Sequence, residues 1–506
     1  MQTPVAVAAP SRLAAEAALR AAALGGSAVD AATAAALVAM VSEPGVVSLT
    51  GGAYLTLWPP GAPDAVVVDG YVAMPGIGRA AGPVSVREIR TDYGGGLTMT
   101  AGHGSVAVPG ALAALDLAVS RWGRLTWSEV MAPAYEAARD GFPLGSASGY
   151  YLPYVRESLF AWDVETAAAL RAPHGDWVRP GEPMVVPHLA DTLAHIGAEG
   201  ARSLYQGDLG RRLAADMTDR GGLVTAADLA AYRPLVRMAL PVEVGGWSLR
   251  TNPAPAIGGA VLAAMLTLLD GDTSPARILH AQRRVLDIRR HSLDLADDRD
   301  AAVAALLRDV GWSGPTAPST VHVSVVSADG GACAITASSG YGSGATLPGT
   351  GLWLNNCLGE LELTRGAPLA PGTRLRSNMA PTVGRSADGG VLAIGSPGAD
   401  RITTALLQVL APFALDGTSL SEAVDRPRLH VHHLADDHVQ VEAEEDTPLP
   451  AAGADAVTLP DGRRMPVRRH HRHAMYFGGV GAALRGEDGM LSAAADPRRA
   501  GAALTG

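Results

Sequence analysis

Two periods of apolar residues occur along this chain, one typical of helices and one typical of strands. Residues 11–25 and 28–41 are predicted to be two close-packed, alanine-rich helices, with Ser11 and Ser27 as N-caps. The runs GGAYLTLW and DAVVVDGY that follow are predicted strands. The first part of the chain is therefore expected to pack helices against a sheet.

The pattern changes near the middle of the chain. Residues 110–245 are predicted to be mainly helical, and LPVEVGGWSLRTN is predicted as one strand. Further helices are expected before the Gly- and Pro-rich segment GWSGPTAPST, which is typical of an exposed loop. After this loop, predicted strands and turns dominate, over 321–336, 350–355, 391–395 and 438–442, with one helix over 401–410. Helices and strands that share one core indicate a layered α+β architecture.

The segment PSTVHVSVVSADGGACAIT predicts a β-hairpin, because two alternating apolar runs flank an Asp-Gly-Gly turn. Thr320 stands where the exposed loop becomes the first strand of this hairpin. A threonine hydroxyl is a poor nucleophile without a base, but an N-terminal threonine carries its own α-amine, with a pKa of about 7.7–8.0. Thr320 is therefore either an ordinary strand residue or the first residue released by self-cleavage.

Composition excludes several classes of protein. Apolar residues make up 48% of the 506 residues and charged residues 18%, as in a globular protein. The net charge of −10, without a long basic cluster, argues against nucleic acid as a partner. All forty cationic side chains are arginine, and a chain without lysine has neither a Schiff-base lysine nor a phosphate-loop lysine.

Two further features concern location and cofactors. The amino-terminal segment has no basic-then-apolar signal pattern, and no run reaches the roughly 20 apolar residues of a membrane helix. We therefore expect a cytoplasmic protein without a membrane partner. Cys333 and Cys357 are too few for a disulfide framework or a cysteine zinc site, so we expect two buried thiols and neither a metal nor another cofactor.

Ordered blocks of sequence resemble the γ-glutamyltransferase family of N-terminal nucleophile (Ntn) hydrolases over nearly the whole chain. The first part carries GGSAVDAATAAALVAMVSEPGVVSLTGGAYLTLW, GHGSVAVPGALAALDLAVSRWGRLTWSEVMAPAYEAARDGFPL, LYQGDLGRRLAADMTDRGGLVTAADLAAYR and NPAPAIGGAVLAAMLTLLD. The second part carries STVHVSVVSADGGACAIT, PGTGLWLNN, SNMAPTV, GSPGADRI and ADPRR in the family's order. Five ordered blocks in the second part are hard to obtain by chance.

The resemblance implies a proenzyme that cuts itself between Ser319 and Thr320. A large subunit, 1–319, and a small subunit, 320–506, would then stay together as one composite domain with an αββα four-layer sandwich. The implied site residues are the nucleophile Thr320, a supporting hydroxyl on Ser338, the oxyanion N–H groups of Gly398 and Ala399, and substrate contacts at Ser377 and Asn378. The resemblance leaves open whether the processed protein forms a further homo-oligomer.

The departures from the family concentrate where it binds a glutamyl group. The family's carboxylate-binding arginine is replaced by Tyr71, which cannot make a bidentate charged contact. The family's substrate-contacting asparagine is Gly340, and its NNQMDDF segment reads NNCLGEL, which leaves Cys357 and Glu360. Tyr71 is either a substrate contact or a packed aromatic residue. The nucleophilic apparatus is thus retained while the substrate has changed.

Three functions fit this pattern. The favoured one is an Ntn hydrolase that uses Thr320 to cleave an amide or carbon–carbon bond of a small non-glutamyl substrate in secondary-metabolite or antibiotic biosynthesis. The second is a true γ-glutamyl transferase or hydrolase that acts on glutathione-like amides. The third is an unprocessed, non-catalytic protein that binds a small molecule.

Overall fold

The computed structural model describes residues 3–93, 96–296, 298–309, 321–360, 369–434, 438–450, 456–458 and 462–506. The α-helices of these ranges are α1 Arg12–Ala23, α2 Ala28–Ser42, α3 Ala111–Trp122, α4 Trp127–Asp140, α5 Ser146–Val155, α6 Val164–Ala169, α7 Leu189–Glu199, α8 Arg202–Tyr205, α9 Asp208–Asp219, α10 Ala226–Ala231, α11 Gly258–Leu269, α12 Pro275–His291, α13 Arg299–Asp309, α14 Ile402–Leu415 and α15 Leu420–Asp425.

Strands are spread over the whole length of the chain. They are β1 Val5–Ala9, β2 Gly52–Trp58, β3 Val66–Gly70, β4 Arg87–Thr91, β5 Leu97–Ala101, β6 Phe142–Pro143, β7 Pro183–Met184, β8 Leu235–Met238, β9 Leu240–Val244, β10 Trp247–Thr251, β11 Val321–Ser327, β12 Ala332–Ser338, β13 Thr346–Leu347, β14 Leu352–Trp353, β15 Thr382–Ser386, β16 Val391–Gly395, β17 Leu429–His433, β18 Val439–Glu444, β19 Ala456–Thr458, β20 Arg464–His470, β21 Gly481–Arg485, β22 Leu491–Ala495 and β23 Ala502–Thr505.

The two amino-terminal helices begin where their caps predict. The hydroxyl of Ser11 accepts the N–H of Ala14, and the hydroxyl of Ser27 accepts the N–H of Asp30 at the start of α2. Each cap satisfies a backbone N–H group that has no partner within the helix. Every residue of α2 is buried, which explains its small side chains: a helix enclosed on all sides has no polar face.

The predicted hairpin forms the centre of a seven-stranded sheet with the order β23-β1-β11-β12-β2-β3-β8. Within it β11 and β12 pair antiparallel, with Val323 opposite Ile335. Alternate residues face opposite sides of this sheet. Val321, Val323 and Val325 pack in the cluster that contains α1 and α2, whereas Val326 packs in the cluster between the two large sheets.

A second sheet, of the order β22-β21-β16-β15-β10-β9, faces the first. The single strand predicted over LPVEVGGWSLRTN is wrong, because β9 and β10 form a hairpin that turns at Gly245 and Gly246. Both glycines have positive φ values, 54° and 81°, as a two-residue turn between twisted strands requires. The outer face of this sheet packs in one apolar cluster with α11, α12 and α14.

The order of the layers is thus helix, sheet, sheet, helix, and the predicted α+β four-layer sandwich is confirmed. Each sheet buries one face against helices and the other against the opposite sheet, so its strands carry apolar side chains on both faces. Cys333 and Cys357 are both buried and unpaired. Within the described ranges no helix combines the length and the apolar character needed to span a membrane.

Candidate active site

The start of β11 is the reference point for the site. Ser319 and Thr320, the predicted cleavage pair, lie outside the described residues, and β11 begins at the next residue, Val321. Val321 pairs with Ala337 of β12. Ser338, the residue after Ala337, is the last of β12, and its buried hydroxyl accepts the N–H of Gly340 at 3.0 Å. The candidate supporting hydroxyl therefore lies at the end of the strand that pairs with β11.

Gly398 and Ala399 form a tight turn between β16 and α14. Their φ values are 137° and 52°, a region that L side chains rarely adopt. A Cβ on Gly398 would lie 2.9 Å from the Cα of Gly478, so the turn packs directly on a neighbouring backbone. Among the described residues, neither N–H donates a hydrogen bond. Two adjacent N–H groups without acceptors can stabilise a developing oxyanion.

One pocket collects four of the predicted site residues: Gly340, Glu360, Gly398 and Ala399 line it together. Gly340 has a φ of 65°, and a Cβ there would lie 2.2 Å from Oδ1 of Asn356 and 3.2 Å from Oε1 of Glu360. Gly340, which replaces the family's asparagine, is therefore required for two reasons: its φ is positive, and neighbouring side chains leave no room for a Cβ.

The remaining predicted substrate contacts do not line this pocket. Tyr71, Ser377 and Asn378 are 1%, 0% and 2% exposed. The Tyr71 ring stacks on Tyr54 with centroids 5.6 Å apart. Burial raises the pKa of the Tyr71 phenol well above its ordinary value, the charges of Cys357 and Glu360 raise it further, and a hydrogen bond with Ser377 opposes them. Tyr71 thus stays neutral, and its role as a substrate contact stays a prediction.

Several pocket residues were not predicted from the sequence. They are three tyrosines, two arginines and two residues that follow α2: Tyr93, Tyr151, Tyr341, Arg401, Arg499, Gly45 and Val46. The tyrosines form an edge-to-face group around Tyr93, whose ring centroid lies 5.0 Å from that of Tyr151 and 6.4 Å from that of Tyr341. Among the tyrosines, only the run GYYLPYV carried a visible signal, because Tyr93 and Tyr341 are isolated in the sequence.

The pocket has two neighbouring cavities. A larger polar cleft of about 480 Å³ shares Tyr93, Tyr341, Ala399 and Arg401 with it. A small apolar cavity lined by Val321 and His322 shares Val46 and Arg499 with it. The pocket therefore lies between the start of β11 and a cleft large enough for a second part of a substrate.

His322 stands between the two large sheets. Its Nδ1 lies 2.9 Å from Oγ1 of Thr336 and its Nε2 lies 2.6 Å from Oγ of Ser324, so both ring nitrogens contact hydroxyls. Gly395 of the facing sheet leaves room for the ring, since a Cβ there would lie 2.3 Å from its Cε1. Burial lowers the pKa of His322 to about 3. A histidine that stays neutral and bonds two hydroxyls fits a structural role.

This lowered pKa predicts a pH dependence of stability. Between pH 7 and pH 5 the unfolded chain protonates His322 near its ordinary pKa of about 6.5, whereas the folded chain does not, so stability falls as the pH falls. The expected loss is about 2 kcal/mol. Urea unfolding of the wild type and of His322→Gln at both pH values tests this, because the amide can contact both hydroxyls but does not titrate. Equal pH dependence in the two proteins would contradict it.

Two facing sheets between helices, with a pocket at the end of the central hairpin, form the architecture of the Ntn hydrolase class of enzymes. The family model of gamma-glutamyltranspeptidase matches residues 14–291 and 278–506. The chain therefore belongs to the gamma-glutamyltranspeptidase family.

Individual relatives agree with this assignment. The chain is 30% identical over 518 residues to the acylase ACY 1 proenzyme of Pseudomonas sp. (strain V22), covering 93% of this chain and 88% of that protein. It is 26% identical over 526 residues to the glutathione hydrolase proenzyme of Escherichia coli (strain K12), covering 94% and 87%. The crystal structure of cephalosporin acylase from Bacillus halodurans superposes with a TM-score of 0.80 at 22% identity, covering 99% and 96%. This last likeness concerns the fold.

Proposed function

We propose that this protein is a self-processing Ntn hydrolase in which Thr320 attacks a carbonyl carbon of a small, non-glutamyl substrate. One observation carries the proposal: Gly340, Glu360 and the Gly398–Ala399 turn line one pocket next to the start of β11. Position 320 immediately precedes that strand.

Cleavage between Ser319 and Thr320 would yield subunits 1–319 and 320–506. The pairing of strands supports their continued association, because β11 and β12 lie between β1 and β2 in the same sheet. The two curated relatives named above are both called proenzymes, which fits the same kind of maturation.

The proposed reaction follows from these groups. The α-amine of Thr320 would take the hydroxyl proton while Oγ attacks the carbonyl carbon, and the N–H groups of Gly398 and Ala399 would stabilise the oxyanion. Collapse expels the leaving group, which takes the proton, and leaves an ester on Oγ that water hydrolyses. Ser338 would orient the amine or the nucleophile. An amide and a carbon–carbon bond next to a carbonyl both pass through such an oxyanion.

The substrate proposal rests on the residues that replace the glutamyl-binding set. Tyr71 is neutral and enclosed where the family carries an arginine, and such an arginine–carboxylate contact contributes a few kcal/mol to binding. The relative named an acylase supports a non-glutamyl acyl group. We propose a role in secondary-metabolite or antibiotic biosynthesis, because the residues that would hold a glutamyl group are altered while the candidate nucleophile is retained.

A true γ-glutamyl hydrolase or transferase is the second candidate. Glu360 favours it, because this acid lines the pocket and can hold the ammonium group of a glutamyl substrate. The third function, a binding protein without catalysis, predicts a chain that is never cut.

Chromogenic anilides separate these candidates. The processed protein is expected to release p-nitroaniline from glutaryl or phenylacetyl p-nitroanilide with a kcat/KM at least about tenfold above that for γ-glutamyl p-nitroanilide. Glutaryl is the matched control, since it differs from γ-glutamyl only by lacking the amino group. Preference for γ-glutamyl would establish the second candidate, and no release of p-nitroaniline from γ-glutamyl p-nitroanilide by a processed protein would count against it.

A further inference from the structure

Two arginines line the pocket, and they differ in their partners. The Arg401 side chain already has partners within the protein. It forms an ion pair with Asp400, and its Nε donates to the carbonyl oxygen of Tyr476 at 3.1 Å. The Arg499 guanidinium forms no hydrogen bond or ion pair with any residue that the structure describes, and its Nε is buried without an acceptor. A buried donor without an acceptor is costly, so a group in this position favours a bound anion.

The backbone at Arg499 is held firmly, which gives its side chain a fixed origin. The preceding residue, Arg498, is buried and pairs with Glu444 and Asp496. The carbonyl oxygen of Arg499 accepts the hydroxyl of Ser146 at 2.8 Å. Arg498 therefore reaches into the protein while Arg499 lines the pocket.

The Arg499 side chain lies beside the oxyanion turn. A Cβ on Gly479 would lie only 2.1 Å from Cγ of Arg499, so the arginine stem crosses the Gly479 backbone. The neighbouring Gly478 is the residue on which Gly398 packs, with its Cα 2.9 Å from the position of a Gly398 Cβ. An anion held by Arg499 would thus be close to the N–H groups that face the attacked carbonyl.

Glu43 is an acidic neighbour of Arg499, and the two residues line the small apolar cavity together. Glu43 is fully buried, and Oε2 of its carboxylate accepts the N–H of Ser148 at 2.8 Å, near the start of α5. Burial raises the pKa of the Glu43 carboxyl, and its hydrogen bonds with Ser148 and the charge of Arg499 oppose this rise. Glu43 lies too far from the guanidinium to form an ion pair with it, so a carboxylate of the substrate can still make the direct contact. The pocket wall offers Glu360 as its acid, and the three tyrosine rings supply apolar surface.

We infer that Arg499 is a specificity-determining residue that binds a carboxylate of the substrate, so that the substrate is a small carboxylate-bearing acyl compound. This inference rests on the proposed function, because it takes the pocket as the site of the acyl group. Arginine suits the task, since its planar fork makes two parallel hydrogen bonds to a carboxylate. In this protein the cation that binds the substrate carboxylate would come from the loop before β23. The family's arginine comes instead from the position of Tyr71, directly after β3.

Equilibrium binding tests the inference without requiring turnover. Succinate, glutarate and adipate are titrated separately into the wild type by calorimetry at neutral pH, with the neutral diamide glutaramide as control. At least one dicarboxylate is expected to bind at least tenfold more tightly than glutaramide. Arg499→Gln is expected to weaken that dicarboxylate by about 10- to 100-fold without changing the diamide, and Arg499→Lys is expected to lie between.

Arg485→Gln serves as the matched control. Arg485 also has a buried Nε without a partner, but its guanidinium donates to Gly389 far along the second sheet, so dicarboxylate affinity should not change. The inference would be overturned if the wild type bound no dicarboxylate, if Arg499→Gln left the dicarboxylate affinity unchanged, or if it lowered the glutaramide affinity equally.

The intact mass of the same sample separates this inference from the proposed function. Arg499-dependent binding by an uncut chain refutes only the proposed function, whereas a cut chain without such binding refutes only this inference.

Discussion

Replacing Thr320 with alanine is expected to leave the chain uncut and to lower hydrolysis by at least about 10³-fold. The variant lacks the hydroxyl that would attack both the preceding peptide carbonyl and the substrate carbonyl. Without cleavage it also lacks the free α-amine that would act as the base. The measurement is the rate of p-nitroaniline release from whichever anilide the wild type prefers.

Two control variants separate chemistry from folding. Thr320→Ser keeps a hydroxyl and is expected to retain cleavage and part of the activity. Ser338→Ala removes the proposed support and also the acceptor of the Gly340 N–H, so it should slow the reaction and leave the nucleophile in place. Both variants should keep the thermal stability of the wild type within a few degrees. Full activity in Thr320→Ala would instead move the chemistry to another residue.

Replacing Arg498 with leucine is expected to cost about 3–5 kcal/mol of stability. Nε of Arg498 donates to Glu444 at 2.8 Å, its Nη1 lies 3.1 Å from Asp496, and the side chains of all three residues are at most 1% exposed. Removing the cation leaves two buried carboxylates short of a partner, although Arg428 still pairs with Asp496. Thermal or urea unfolding measures the loss.

A surface ion pair provides the matched control. Arg472 contacts Asp425 at 2.7 Å, but the two side chains are 35% and 53% exposed. Water screens this pair, so Arg472→Leu should cost less than about 1 kcal/mol. Equal losses in the two variants would contradict a special role for the buried cluster. Because Arg498 precedes Arg499, the Arg498→Leu variant is also expected to bind dicarboxylates more weakly.

Local chemistry allowed much of the fold to be predicted. The caps at Ser11 and Ser27 and the turn after β11 act over a few residues, so their patterns identify two helices and the central hairpin. The turn at Gly245 and Gly246 was missed although it is equally local, because the apolar run continues through it. When a turn has only two residues and apolar residues lie on both sides of it, the sequence pattern of a hairpin resembles that of one long strand.

The candidate site was less predictable, because residues distant in sequence build it. The resemblance identified Gly340, Glu360, Gly398 and Ala399, and the fold collects them in one pocket. Nothing in the sequence distinguishes Arg499 from Arg498, yet one lines the pocket and the other is enclosed. Their directions depend on which carboxylates the folded chain brings near. Tyr71 is the opposite case. It takes the sequence position of the family's carboxylate-binding arginine, but it does not line this pocket.

The most direct test of this account is the intact mass of the purified protein under denaturing conditions, with Thr320→Ala measured beside it. The account predicts two chains, 1–319 and 320–506, whose amino-terminal sequencing shows a new chain that begins at Thr320. The variant should give one chain of 51.7 kDa. A single uncut chain in the wild type as well would contradict the account, because Thr320 would then have no free α-amine to act as its base.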